Sequence, residues 1–214
     1  MIGQEFETVR IEISAGPEDL ILDGNKLIIT NAERRPENEH TSGIWSLNLD
    51  DNTKTKFELI LKKERKFSPL GISLLKLANK KYLFILNYQS KENPEIICFE
   101  MYENKLIEVK SFHNELIKET IVKLKGSDNI RALDDVNLLI ASHPKILKFI
   151  GHAKNKVKLS PFVIYKVNLK TKEKHIAFDD NDTLLSVGST AISYKNNLYI
   201  AQIFENLILK VKLK

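Results

Sequence analysis

Two pairs of oxygen-bearing side chains in the sequence could bind a metal ion. Glu18 and Asp19 precede the apolar run LILDGNKLIIT, and Asp128 and Asn129 precede IRALDDVNLLIAS. Carboxylate and amide oxygens are the ligands that Ca²⁺ prefers, and calcium tolerates irregular geometry. The four residues are therefore candidate calcium ligands. The alternative is that each pair bonds its own backbone at a strand start or a tight turn.

Both pairs belong to an internal repeat. A short polar turn followed by an apolar β run recurs four times, with steps of 56, 56 and 59 residues between Leu27, Leu83, Leu139 and Leu198. Another short apolar stretch precedes each copy, and the turn between the two has the chemistry of a β-hairpin. The sequence thus predicts four inner hairpins, with the candidate ligands at the start of the first and the third.

A second hairpin is predicted downstream of each of the first three copies. The segments are GIWSLNLDDNTKTKFELIL, EIICFEMYENKLIEVKSF and FVIYKVNLKTKEKHIAF, whereas the fourth copy has only NLILKVKL. Residues 7–13 have strand composition and no hairpin partner of their own, so we expect them to complete the last unit. Helical spacing is predicted only within 111–125.

Four-stranded units at a fixed period are the signature of a β-propeller, in which strand starts converge on a central channel. We predict an all-β fold: a β-propeller of about four blades over 16–62, 68–112, 126–178 and 184–214, closed by the strand at 7–13. A β-sandwich or barrel is the alternative. No Gly/Ser-rich or Pro-rich linker interrupts the chain, so one domain over 1–214 is expected.

Composition excludes several classes of function. The 214 residues are 43% apolar and 29% charged, with 33 Lys+Arg against 28 Asp+Glu, as in a globular protein. No apolar run is long enough for a membrane span, and neither clustered Arg nor aromatic platforms indicate nucleic-acid binding. The start MIGQEFETVR lacks the features of a signal peptide, which favours the cytoplasm unless a leader has been removed. Cys98, in the apolar run EIICFEM, is expected to be a small core residue rather than a reactive thiol.

Four motifs in order resemble the paraoxonase (serum arylesterase) family and the related gluconolactonase-like propellers. They are G-P-E-D-L at 16–20, S-P-L-G-I-S at 68–73, S-D-N-I at 127–130 with S-H-P at 142–144, and V-G-S-T at 187–190. The likeness extends from about Gly16 to the C-terminus. The family has six blades, so this chain resembles a propeller shortened by about two.

The resemblance implies a calcium-dependent hydrolase of small esters or lactones, with the metal polarising the carbonyl for attack by water. It assigns Glu18, Asp128 and Asn129 to a catalytic calcium and Asp19 to a structural one. The family's two histidines are replaced here by Leu70 and, near the second position, Tyr88. His143 matches a later motif and is the candidate catalytic base, against the alternative of a hydrogen-bonded loop histidine.

Two other hypotheses stay open at this stage. The chain could be a catalytically degenerate propeller that binds a ligand or a protein. It could also be one part of a larger gene product, or assemble with another copy to complete a ring. His40, His113, His152 and His175 are predicted to be loop or surface residues. The identity of the substrate and the oligomeric state do not follow from the sequence.

Overall fold

A computed structural model describes residues 7–14, 16–32, 34, 42–88, 94–112, 123–179 and 184–213. The chain divides into two compact units. The terminal unit comprises Met1–Ile13 and Glu119–Lys214, and the middle unit comprises Ser14–Lys118. A single domain over 1–214 stays a prediction.

Seventeen strands and one helix are present in the described residues. In chain order they are β1 Thr8–Glu12, β2 Pro17–Asp23, β3 Lys26–Asn31, β4 Gly43–Asn48, β5 Lys54–Lys56, β6 Glu58–Ile60, β7 Pro69–Leu77, β8 Lys80–Tyr88, β9 Pro94–Tyr102, β10 Lys105–Phe112, β11 Ser127–Ala132, β12 Asn137–Ser142, α1 Ile146–Lys154, β13 Val163–Asn168, β14 Lys174–Asp179, β15 Gly188–Tyr194, β16 Asn197–Gln202 and β17 Leu207–Lys212.

The strands form four sheets of four or five strands, so the fold is all-β as predicted. The middle unit holds the sheets β2-β3-β4-β5 and β6-β10-β9-β8-β7, and the terminal unit holds β11-β12-β13-β14 and β1-β17-β16-β15. Strand β1 pairs antiparallel with β17, from Thr8 opposite Val211 to Glu12 opposite Leu207. The N-terminal strand therefore completes the last sheet, where the fourth copy of the repeat lacks a strand.

One predicted hairpin forms only in part. The segment GIWSLNLDDNTKTKFELIL gives β4 and β5, which pair, but β6 at its FELIL end joins the next sheet, parallel to β10. A tight turn with a hydrogen bond from the Asn48 amide to the Thr53 carbonyl (2.8 Å) puts Lys54–Lys56 opposite the preceding strand. The chain then leaves that sheet after the buried Phe57.

Each unit has its own hydrophobic core between its two sheets. In the middle unit, Ile28 and Ile44 of one sheet pack with Leu83, Ile97 and Phe99 of the other. In the terminal unit, Leu139, Ile164 and Phe178 pack with Ile200 and Leu209. The leucines that mark the repeat, Leu27, Leu83, Leu139 and Leu198, are all buried. Their spacing therefore reports four equivalent core positions.

Every inner hairpin has a register shift at the start of its first strand, at the predicted motif. The shifts lie between Pro17 and Asp19, Pro69 and Ile72, Ser127 and Ile130, and Gly188 and Thr190. Such bulges redirect side chains and are common beside functional sites. In the first and third hairpins, the shift places the candidate ligands at an irregular point of the strand.

A buried polar residue lies at or next to the end of the second strand of each inner hairpin. These residues, Asn31, Asn87, Ser142 and Gln202, are opposite the first residue of the hairpin. Three of them donate to a backbone carbonyl just before the first strand of the same hairpin: Asn31 to Ser14 (2.7 Å), Asn87 to Lys66 (3.1 Å) and Ser142 to Lys125 (2.6 Å). In these three hairpins the hydrogen bond holds the segment that leads into the first strand.

Helix α1 is the element that the sequence prediction missed. Its residues Phe149 and Ala153 pack against Val187, Ile203 and Phe204. The predicted helical stretch at 111–125 lies largely outside the described residues. None of the described helical residues forms a segment long and apolar enough to cross a membrane. Cys98 is buried, and this burial raises the pKa of its thiol, which fits the predicted core role.

Candidate functional site

Asp19 is built into the backbone of the middle unit. Its carboxylate is 1% exposed and accepts hydrogen bonds from the amides of Leu20 (2.9 Å) and Ile72 (3.0 Å). Thr30 accepts from the Asp19 amide (3.1 Å) and donates to the carbonyl of Leu70 (2.6 Å). Asp19 therefore joins the bulge of β2 to the start of β7, which is a structural role.

Glu18 is paired with a positive charge. Its Oε2 lies 3.0 Å from Nη2 of Arg34, and the carboxylate is largely buried. A guanidinium beside a carboxylate neutralises its charge and occupies the side from which a cation would bind. This partner is absent from the sequence prediction because Arg34 lies outside the motif.

Asp128 and His143 are the two predicted site residues that the structure brings into contact. Asp128 Oδ2 and His143 Nε2 are 3.1 Å apart. The His143 residue is 4% exposed, whereas the side chain of Asp128 is 30% exposed. The buried imidazole thus lies behind a carboxylate that is open to solvent. Asn129 is the next residue of β11 and is half-buried.

The backbone around His143 is fixed by a close approach at Gly126. Gly126 has φ +67°, and its carbonyl accepts from the His143 amide at 2.7 Å. A Cβ at this position would lie 2.2 Å from the His143 carbonyl oxygen, so only glycine fits. On its other side the imidazole packs on Phe149 of α1, with ring centroids 4.8 Å apart. These contacts hold the ring against the bulge of β11.

The protonation of this pair follows from its partners. A carboxylate accepts hydrogen bonds and does not donate them, so Nε2 carries the proton in the contact with Asp128. Nδ1 is buried and has no hydrogen-bond partner among the described residues.

The candidate calcium ligands Glu18, Asp19 and Asp128 have protein partners in the structure. Glu18 is occupied by Arg34, Asp19 by two backbone amides and Asp128 by His143. Glu18 and Asp19 belong to the middle unit, and Asp128 and Asn129 to the terminal unit. Among the described residues, no group of three or more His, Cys, Asp or Glu side chains could hold a metal ion. Calcium stays a prediction from the resemblance.

Leu70 and Tyr88 stand at or near the positions where the family that the motifs resemble has its histidines, and both form backbone hydrogen bonds here. Leu70 accepts from Thr30 through its carbonyl, and the Tyr88 amide donates to the Ser68 carbonyl at 2.9 Å. Of the other histidines, His175 is exposed, as predicted, whereas His152 is fully buried in α1. The prediction for His152 is wrong because the helix was missed. His40 and His113 lie outside the described residues.

Sequence reasoning also missed a buried ionic cluster in the middle unit. Arg65 contacts Glu95 (2.9 Å) and Glu108 (2.7 Å), and all three side chains are at most 3% exposed. Asn87 donates to Glu95 at 3.0 Å. The cluster ties the segment before β7 to β9 and β10, and its charges are paired within the protein. The sequence signal that could have indicated this cluster is Glu95, a charged residue within an apolar strand sequence.

A cavity of about 390 Å³ lies in the middle unit, at the hairpin ends of its sheets. Its walls include Asp23, Lys26, Ser46, Lys81 and Glu103. Two of its charged residues, Asp23 and Lys81, are paired with each other at 2.7 Å. The residues that line it include none of the predicted site residues.

Comparison with known proteins does not assign the chain to a family. No family of known proteins matches the sequence. No curated protein matches it either. A solved structure from Bacteroides fragilis, of a protein provisionally named a 6-phosphogluconolactonase, is similar over 95% of this chain and 72% of its own, with 14% identity and a TM-score of 0.27. That score is too low to establish a shared fold.

Proposed function

We propose that the chain hydrolyses small esters or lactones, and that the pair formed by Asp128 and His143 activates the water. The observation that carries the proposal is their 3.1 Å contact. It supplies a solvent-facing carboxylate whose orientation is fixed by a buried imidazole. This exchanges the roles expected from the resemblance: Asp128 becomes the base, and His143 the positioning residue.

The reaction needs one proton acceptor that later returns the proton. The Asp128 oxygen that does not face His143 takes a proton from water as the water oxygen attacks the carbonyl carbon. The tetrahedral intermediate then breaks its bond to the leaving oxygen, which takes the proton from Asp128. The products are the acid and the alcohol, or a single hydroxy acid from a lactone. His143 keeps its proton throughout.

The β-propeller is part of this proposal. Its support is the fourfold repetition of one inner hairpin with a bulge at the same place and a buried polar residue opposite it. A propeller of such hairpins would direct every bulge toward one axis. The carboxylate of Asp128 would then face the channel.

Hydrolysis of phenyl acetate and δ-valerolactone by the full chain tests the proposal. We expect turnover above the buffer rate, equal with added calcium and with a chelator, because no step uses a metal. His143→Gln should lower kcat about tenfold and leave KM unchanged, because it removes the contact that orients Asp128 and does not alter substrate binding. The matched control is His175→Gln, which changes an exposed histidine of the same unit.

Three results would oppose the proposal. They are no turnover by folded protein, turnover that requires calcium, and equal activity in the two histidine variants. A change in the pH dependence of kcat in His143→Gln alone would support the positioning role, because a merely structural effect would leave the profile in place.

A second candidate function is a non-catalytic binding scaffold. Two contacts favour it: Glu18 pairs with Arg34, and Asp19 accepts from two backbone amides. In this candidate these motif residues stabilise the fold and do not take part in a reaction. A folded chain with no turnover on either substrate would favour this candidate.

A further inference from the structure

The surface of 145–159 combines exposed apolar side chains with a one-sided charge. Five apolar residues are exposed there: Ile146, Leu147, Ile150, Val157 and Leu159. Leu147 is 81% exposed and Val157 is 79% exposed. Isolated exposed apolar residues are ordinary, but five within fifteen positions form a patch of the kind that marks an interaction site. We call this segment the basic apolar face.

The charge of the segment is entirely positive. Lys145, Lys148, Lys154, Lys156 and Lys158 are exposed, and no Asp or Glu occurs between residues 136 and 172. Most other lysine-rich segments of the chain also contain Asp or Glu. The partner that complements this face is therefore both anionic and apolar.

The exposed side chains stand on a fixed support. Phe149 packs on His143 and on Phe204, with ring centroids 4.8 Å and 6.0 Å apart, which anchors the opposite side of α1. The turn that carries Val157 is held by hydrogen bonds from the Val157 amide to Asn155 Oδ1 (3.0 Å) and between His152 Nδ1 and the Lys158 carbonyl (2.9 Å). Leu147 and Val157 are thus presented by ordered backbone.

We infer that the basic apolar face docks on the surface of an anionic lipid bilayer. An interfacial helix inserts apolar side chains at the boundary between headgroups and acyl chains, while lysines contact the lipid phosphates. Each lysine near an anionic surface strengthens binding, and the attraction falls with salt. The inference concerns a separate surface and does not depend on the proposed hydrolase.

Sedimentation of the full chain with lipid vesicles tests the inference. We expect it to sediment with vesicles of phosphatidylcholine and phosphatidylserine, to stay in solution with phosphatidylcholine alone, and to be released by high salt. The double variant Leu147→Ser and Val157→Ser should bind about tenfold less, because two apolar side chains no longer insert. Both side chains are exposed, so circular dichroism should show an unchanged fold.

Two controls match these changes. Leu77→Ser alters an apolar side chain of the middle unit that is 62% exposed, and it should bind like the wild type. Lys156→Glu should lower binding several-fold more than Lys63→Glu, which makes the same charge change on the middle unit.

The inference is overturned by any of four results. These are no sedimentation with either vesicle, equal sedimentation with both, equal losses in the face and control variants, and concentration-dependent self-association abolished by the double variant without vesicle binding. The last result would make the face an interface between copies of the chain.

Discussion

Asp19 and Asp128 both lie at the start of an inner hairpin but bond to different kinds of partner. Asp19 borders the register shift of the first hairpin, and Asp128 lies within the register shift of the third. Asp19 is buried and accepts from two backbone amides, whereas the partly exposed Asp128 contacts one imidazole. One hairpin therefore uses its carboxylate to hold the fold, and the other keeps a carboxylate partly open to solvent.

The residues at the end of the second strand also differ between the two hairpins. In the first repeat Thr30 and Asn31 end β3 and bond to nearby backbone. In the third repeat Ser142 has that backbone role, and the next residue is His143, which contacts Asp128. His143 thus gives Asp128 a side-chain partner, whereas the carboxylate of Asp19 is bonded to the amides of Leu20 and Ile72.

Removing the buried carboxylate should have the largest effect. In Asp19→Ala the amides of Leu20 and Ile72 lose their acceptor while buried, so we expect a loss of about 3 kcal/mol in unfolding free energy. Urea unfolding measures it. Asp51→Ala, which removes a turn carboxylate from the surface, should cost much less. Equal costs would contradict the structural role of Asp19.

The next largest loss of stability is expected at Gly126, whose close approach to the His143 backbone positions that residue. Gly126→Ala should cost about 2 kcal/mol, because the new Cβ combines a positive φ with a clash against the His143 carbonyl. The matched control is Gly24→Ala, whose φ is +64° but whose Cβ would meet nothing within 4 Å. It should cost about 1 kcal/mol. A control that costs as much as Gly126→Ala would mean that the clash is relieved elsewhere.

The smallest effect belongs to Asp23, a surface-paired carboxylate at the other end of β2. Burial alone would raise its pKa, but hydrogen bonds and charges from Lys81 and Lys76 outweigh burial and hold the pKa below its ordinary value. The pair therefore stabilises the fold above the ordinary aspartate pKa, and this contribution is lost as the pH falls through the lowered value.

Comparison of wild type with Asp23→Asn across acidic pH checks this sign. The wild type should be more stable above about pH 4, by less than about 1 kcal/mol because both lysines are half-exposed and screened. The advantage should vanish at lower pH. An advantage that grows as the pH falls would contradict the role of the two lysines.

Much of the fold can be predicted from the sequence because the repeat encodes it directly. Leu27, Leu83, Leu139 and Leu198 mark the four core hairpins, and the strand composition of 7–13 predicts the partner of β17. The place of β6 cannot be predicted, because FELIL suits either sheet by composition. Helix α1 was hidden between two strands, although Ile146, Phe149, Ile150 and Ala153 have helical spacing.

The candidate site is less predictable than the fold. The motif identifies Glu18, Asp19, Asp128 and Asn129 by type, but their partners lie up to 53 residues away, as for Asp19 and Ile72. Arg34 pairs with Glu18 but lies outside the four motifs. His143 belongs to a motif, but S-H-P does not show that its ring contacts Asp128. In the proposed mechanism, burial behind Asp128 gives His143 a positioning role instead of the expected role of base.

The most direct test of the proposed site is kcat/KM for phenyl acetate in Asp128→Asn. We predict a fall of about a hundredfold, because an amide cannot take the proton from water. Stability should change by less than about 1 kcal/mol, since this side chain is partly exposed. The matched control Asp135→Asn, an exposed carboxylate of the same hairpin, should keep wild-type activity. Wild-type kcat/KM in a folded Asp128→Asn variant would contradict the account.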